Sequence, residues 1–293
     1  MHWLALTLVF LVGAAVSSVA GRPAAAPDGR FRVATFNVHK GADRGEHYDL
    51  LRTTRAIAGL EADLVGVQEV LRNHAGYLCD DQPALIEAGL ERLTGRRWSH
   101  AYEGAWNTEN LDCLRSGRGD GVETEGLALF APERIIATRS IRLSEGRVGL
   151  AARLASIPEV SVAVTHLSAS REGQAGRARE LALLLPWAEK HRAGIVMGDF
   201  NAVPQAGELA PVFSRYRDAW SVAAEQGSTA GVPSGATRPG RRLSRIDYVF
   251  FDPNVALTLE SVEVIDTSSP TSPDTGEVSD HRPVVATFRR VAR

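Results

Sequence analysis

Apolar and polar residues alternate from Phe31 to Asn37, a period of two that predicts a strand ending on Asn37. From Asp49 to Leu60 the period changes. Leu50, Leu51, Ile57 and Leu60 fall at helical spacing, with Asp49 placed to cap the first turn. Asp63 to Glu69 is apolar until its end and reads as a second strand. The chain therefore opens strand, helix, strand.

Residues 73 to 120 break this rhythm. Pro83 to Leu93 predicts a short helix, and the remainder is rich in Gly, Asn, Asp and Arg, which marks a surface excursion. Trp98, Tyr102 and Trp106 recur there every fourth residue, a spacing assigned to packing. Strands follow at Gly126 to Phe130, near Val148 to Leu154, and at Ser161 to His166. Gly173 to His191 is an amphipathic helix expected to kink or break at Pro186. Ile195 to Asp199 is a short buried strand, and Thr229 to Gly240 is a Gly/Pro/Ser-rich loop. Ile246 to Phe251, Leu259 to Ile265 and Val284 to Phe288 complete the strands. The expected class is α+β, with two packed, mostly antiparallel sheets, outer helices and one domain over residues 29–293.

Composition changes this picture little. The chain has 293 residues, 44% hydrophobic and 23% charged, enough for a full core. A formal charge of −2 gives no global signal for a polyanionic partner. The first 20 residues hold no Lys, Arg, Asp or Glu, and Ser18-Val19-Ala20 has the small-residue pattern of a cleavage site. Residues 1–20 are read as an export signal, with an uncleaved membrane anchor as the alternative, and 21–28 as a flexible linker. The expected location is secreted or cell-envelope. Two cysteines in an exported chain favour a Cys79–Cys113 disulfide.

The candidate chemistry sits at strand ends. Glu69 and Asp280 are carboxylates suited to a hard cation, Mg²⁺ or Mn²⁺ with Ca²⁺ as a further option, and Asn37 offers a neutral oxygen beside them. Asp199 and Asn201 share a face if extended, so the carboxylate can orient and deprotonate water while the amide holds that carboxylate or bonds a phosphate oxygen. His166 and His281 are candidates to contact a phosphate oxygen or act as acid. Each then needs a carboxylate, for which Glu125 and Asp247 are placed. Lys40, just after Asn37, is a candidate substrate contact. So is Arg245, which with Arg238, Arg241 and Arg242 would form a basic lip before Asp247.

These segments together resemble the endonuclease/exonuclease/phosphatase superfamily, the deoxyribonuclease-I-like fold. ATFNVHKG, DLVGVQEV, EGLALF, THL, GDFNAVP, RIDYVF and SDHRPV occur in family order across nearly all the chain after the leader. The NVHKG form is similar to small bacterial members. The resemblance implies a four-layer αββα sandwich and a metal at Glu69 with Asn37 and Asp280 nearby. It implies that Asp199 handles the water, and that the pairs His281–Asp247 and His166–Glu125 meet the scissile phosphate. The expected activity is a phosphodiesterase, with nucleic acid the favoured substrate and a phospholipid or small phosphoester as alternatives. A phosphomonoesterase, a sphingomyelinase-like lipid hydrolase and a catalytically silent binding domain are the rival readings. No protein partner is required, and a monomer is expected.

Overall fold

A computed structural model of the chain describes residues 29–169, 173–239, 243–267 and 277–291. The leader and linker readings, and Arg241 and Arg242, lie outside the described residues. The strands in chain order begin with β1 (Arg30–Asn37), β2 (Leu64–Arg72), β3 (Ser99–Glu109), β4 (Val122–Ala131) and β5 (Ile135–Arg142). Next come β6 (Val148–Leu154), β7 (Ile157–His166), β8 (Ala193–Asp199) and β9 (Arg217–Asp218). β10 (Thr229–Gly231), β11 (Asp247–Phe251), β12 (Leu257–Val264) and β13 (Val284–Arg290) finish the series. Among the described residues they form a seven-stranded sheet, β10-β12-β13-β1-β2-β4-β3, and a six-stranded sheet, β5-β6-β7-β8-β11-β9.

Period-two alternation builds the layers. In β1, Phe31 and Val33 face the second sheet, while Ala34 and Phe36 face helices. In β8, Ile195 and Met197 face the first sheet, and Val196 faces the opposite way. Helices α1 (Leu50–Gly59) and α2 (Gln82–Thr94) cover the first sheet through Ile57, Leu60, Ile86 and Leu90. The second sheet is covered by α4 (Gly173–Lys190) through Leu181, Leu184 and Trp187; a short α3 (Leu111–Arg115) precedes it in the chain. The order helix, sheet, sheet, helix is the expected four-layer sandwich. Asp49 caps α1 by accepting from the Arg52 amide at 2.9 Å.

Several local expectations change. The helix after residue 173 runs unbroken through Pro186 to Lys190. The excursion contains a long strand, β3, on the edge of the first sheet. A bulge between Gly104 and Trp106 breaks the four-residue rhythm, so Trp98 is packed while Trp106 is 37% exposed. β5 alternates with mostly exposed residues on an edge, which hides it from a hydrophobicity reading. The Gly/Pro/Ser-rich loop begins with a paired strand, β10.

Cys79 and Cys113 form a disulfide across 34 residues of sequence. It ties the turn after β2 to α3 at the far end of β3, closing the excursion into an arm. Loop-closure entropy predicts that opening a link of that span, 34 residues, costs about 4 kcal/mol of stability. Denaturant melts with and without reductant should therefore show a clearly lower midpoint for the reduced protein. An unchanged midpoint after verified reduction would remove that role from the link.

Candidate active site

The same alternation that fills the inter-sheet core places the polar residues. Continuing the inward row of β1 by one step beyond Thr35 reaches Asn37. The inward row of β8 ends on Asp199, that of β7 on His166, and that of β11 begins at Asp247. In β4 the row Ala131, Leu129, Leu127 leads back to Glu125. Five strands thus aim five polar side chains into the seam between the sheets, at one end of the sandwich.

Glu69 breaks parity, because its neighbours Val65 and Val67 face the helices. A bulge between Gln68 and Val70 gives Glu69 a φ of 57° and re-aims its side chain. It meets Asn37, whose Nδ2 donates to Glu69 Oε1 at 2.9 Å and to Asp199 Oδ2 at 3.1 Å. Lys40 and Asn201 also hold positive φ, at 61° and 49°. Left-handed backbone in non-glycine residues gathers along this rim, as it does at working sites. Gly198 needs its missing Cβ, which at φ +141° would lie 1.9 Å from the Thr165 carbonyl.

Asp199 is the centre of the arrangement and is almost fully buried. Its Oδ1 accepts the Asn201 backbone amide at 2.8 Å. Its Oδ2 lies 3.6 Å from His166 Nε2 and 3.7 Å from His281 Nε2. His281 Nδ1 meets Asp247 Oδ2 at 2.8 Å. Burial alone would lower the His281 pKa, but Asp247 and Asp199 outweigh it and raise it to about 10. The imidazole is thus protonated and bridges two carboxylates. Burial and the charge of Asp247 push Asp199 up to about 7.

His166 is different. Burial, then Arg147, His281 and Lys40, hold its pKa well below the usual imidazole value, so it is neutral. Its Nε2 meets Asn201 Nδ2 at 3.1 Å, and Arg147 Nη1 lies 3.4 Å from Nδ1. With Asp199, these are the side-chain partners of His166 among the described residues, in place of the hydrogen-bonded pair expected with Glu125. Glu125 lines the same crevice as Arg147 and His166. Burial and the nearby charge of Glu69 raise Glu125 to about 7. Half-buried Lys40 stands close to both acids: burial lowers its pKa, and Glu69 and Glu125 more than restore it.

Asp280 sits further out, 4.0 Å from His39 Nδ1 and 3.8 Å from Arg238 Nη2. Its neighbour Ser279 donates to the Asn37 carbonyl at 2.7 Å and accepts the His281 amide at 3.1 Å, fixing the loop against β1. Arg245 is turned away from any lip. It pairs with Asp218 at 2.7 Å with its guanidinium over the Tyr248 ring. Arg147 is the site residue that the sequence leaves silent. It lies just before β6, and the antiparallel pairing of β6 with β7, Gly149 opposite Thr165, sets it beside His166 in the second sheet.

The residues suit a hard cation. Glu69 and Glu125 repel each other across the mouth, and a buried oxygen of Asp247, Oδ1, has no hydrogen-bond partner. Asp199, Asp247 and His281 offer three potential ligand atoms within 4.8 Å of one another. A protonated His281 does not ligate, so the acids and Asn37 are the donors a cation would use.

The sequence matches the Endonuclease/Exonuclease/phosphatase family over residues 34–281. Solved structures share the fold. An endonuclease/exonuclease/phosphatase from Bacteroides vulgatus superposes with a TM-score of 0.64 at 20% identity, covering 89% of this chain and 99% of that one. One from Beutenbergia cavernae gives 0.64 at 22% identity, covering 90% and 72%. The human Nocturnin catalytic domain with bound sulfate anion gives 0.60 at 22% identity, covering 89% and 95%. No curated protein matches the sequence.

Proposed function

The chain belongs to the endonuclease/exonuclease/phosphatase family, and from that premise we propose that it is an exported, divalent-metal-dependent phosphodiesterase. Members are generally hydrolases of phosphoester bonds. The observation that carries the reading is the chain of contacts Asp247–His281–Asp199, closed on the other side by His166, Asn201 and Asn37. It supports the reading because a carboxylate suited to act as base, an imidazolium suited to act as acid and a neutral imidazole surround a single point.

Asp199 takes the proton of the attacking water through Oδ2, while the Asn201 amide holds Oδ1 in place. His281, kept protonated by Asp247, donates to a phosphate oxygen as negative charge builds there. Neutral His166 and the Asn201 amide orient the ester, and Lys40 and Arg147 supply positive charge at either side. A cation held by Glu69, Asn37 and the neighbouring acids would polarise the phosphoryl group and ease departure of the leaving oxygen. The disulfide supports export, since such links persist in oxidising compartments. The basic lip that favoured nucleic acid loses Arg245 to Asp218, which leaves a phosphodiester as the substrate class the site supports.

EDTA should abolish hydrolysis of bis-p-nitrophenyl phosphate, and added Mg²⁺ or Mn²⁺ should restore it. Turnover that persists after verified metal removal would overturn metal dependence, and cleavage of p-nitrophenyl phosphate alone would overturn the diesterase reading.

A further inference from the structure

Apolar residues left in solvent concentrate on the arm closed by the disulfide. Leu78, Leu111, Leu114 and Val122 are 54%, 41%, 51% and 44% exposed. Cys79 and Cys113 have Cα atoms 5.5 Å apart, which brings Leu78 beside the helix that carries Leu111 and Leu114. Those two leucines are three residues apart on α3 and share its outer face, while Cys113 between them is buried. Leu114 packs over Gly121, next to Val122. One apolar patch therefore caps the arm, held rigid by a covalent link.

The patch adjoins the catalytic rim on two sides. Tyr77, just before Leu78, feels the charges of Lys40 and Glu69. Trp106, on β3, stands directly across from Glu125 on β4, so the two side chains share a face. A surface that covers the patch must also lie against the site.

Charge selects what that surface is. Over residues 107–122 the arm carries Glu109, Asp112 and Asp120 against Arg115 and Arg118, and Asp112 is already paired with Arg115 at 3.6 Å. An arm without excess positive charge does not attract a polyanionic strand or an anionic bilayer. We propose that the arm docks on a zwitterionic phospholipid layer. Apolar side chains enter below the headgroups, and the phosphodiester of a neighbouring lipid is presented to the seam. The presentation step rests on the phosphodiesterase reading; the docking does not.

The test uses neutral vesicles of phosphatidylcholine and sphingomyelin in EDTA, so that binding is read without turnover. The full chain is compared with its Leu111→Asp/Leu114→Asp variant by cosedimentation. Trp106 emission is isolated as the difference between the wild type and Trp106→Phe. The expected results are a blue shift of Trp106 on vesicles and at least about tenfold weaker binding by the double variant. Its turnover of soluble bis-p-nitrophenyl phosphate should be unchanged, which also certifies its fold. An unshifted Trp106 or equal binding by both proteins overturns the proposal. So does salt-sensitive binding to anionic vesicles alone, a dimer lost in the variant, or plasmid retention lost in the variant. Vesicle binding without any diester turnover would sink the hydrolase and spare the docking surface; turnover without binding would do the reverse.

Discussion

Asp199→Ala is expected to lower kcat/KM for a phosphodiester by roughly 10²–10⁴-fold, the range a positioned general base supplies. Three side chains and the Asn201 backbone amide converge on this carboxylate, and no other acid among the described residues touches both histidines. The fold should survive. Asn37 keeps its bond to Glu69, and His281 keeps Asp247. Stability should even move in the variant's favour as pH rises. Asp199 is raised from 3.8 to about 7 in the folded protein, so the native state holds its proton more tightly than the unfolded chain. That stabilisation is present at low pH and is lost as pH rises through about 7. The alanine protein lacks it. Melts in EDTA between pH 4 and pH 8 should show the wild-type advantage shrinking across this window. Full turnover by the variant would remove Asp199 from the chemistry.

Much of this site is legible in the sequence because it continues the core pattern. Asn37, His166, Asp199 and Asp247 each stand two residues from an inward-facing residue on their own strands. An alternating reading therefore carries them to the seam once two sheets are assumed. The layer order follows from the same alternation. Glu69 is legible as a polar strand end, but its direction is not, since parity alone would send it under α1 and the bulge reverses that. Arg245 misleads for a related reason. A run of arginines reads as a solvated lip, whereas Asp218, distant in sequence, and the Tyr248 ring draw Arg245 inward. Arg147 has no local signature, because its role arises from the pairing of β6 with β7, which sets it beside His166. The Trp106 rhythm misleads where one bulged residue shifts the face. What the sequence conceals in each case is a departure from regular period or a contact between separate elements.

His281→Ala separates catalysis from stability, and its two effects have different cures. Turnover should fall by roughly 10²–10⁴-fold, because the one protonated imidazole facing Asp199 is gone. Stability should fall as well. The variant leaves Asp247 and Asp199 buried without the charge between them, and stranding a buried partner costs about 3–5 kcal/mol. Linkage sets where this is seen. The folded-state pKa of His281 is raised from 6.5 to about 10, so its contribution is complete below 6.5 and fades as pH climbs through about 10. The gap between wild type and variant in denaturant midpoint should therefore be widest near pH 6 and narrow toward pH 10. Adding Asp247→Asn to the variant removes one orphaned charge and should recover much of the midpoint at pH 6 while leaving turnover low. If the double variant is no more stable than His281→Ala, the destabilisation comes from a lost ring and its packing, and the bridging imidazolium is not what holds the two carboxylates together.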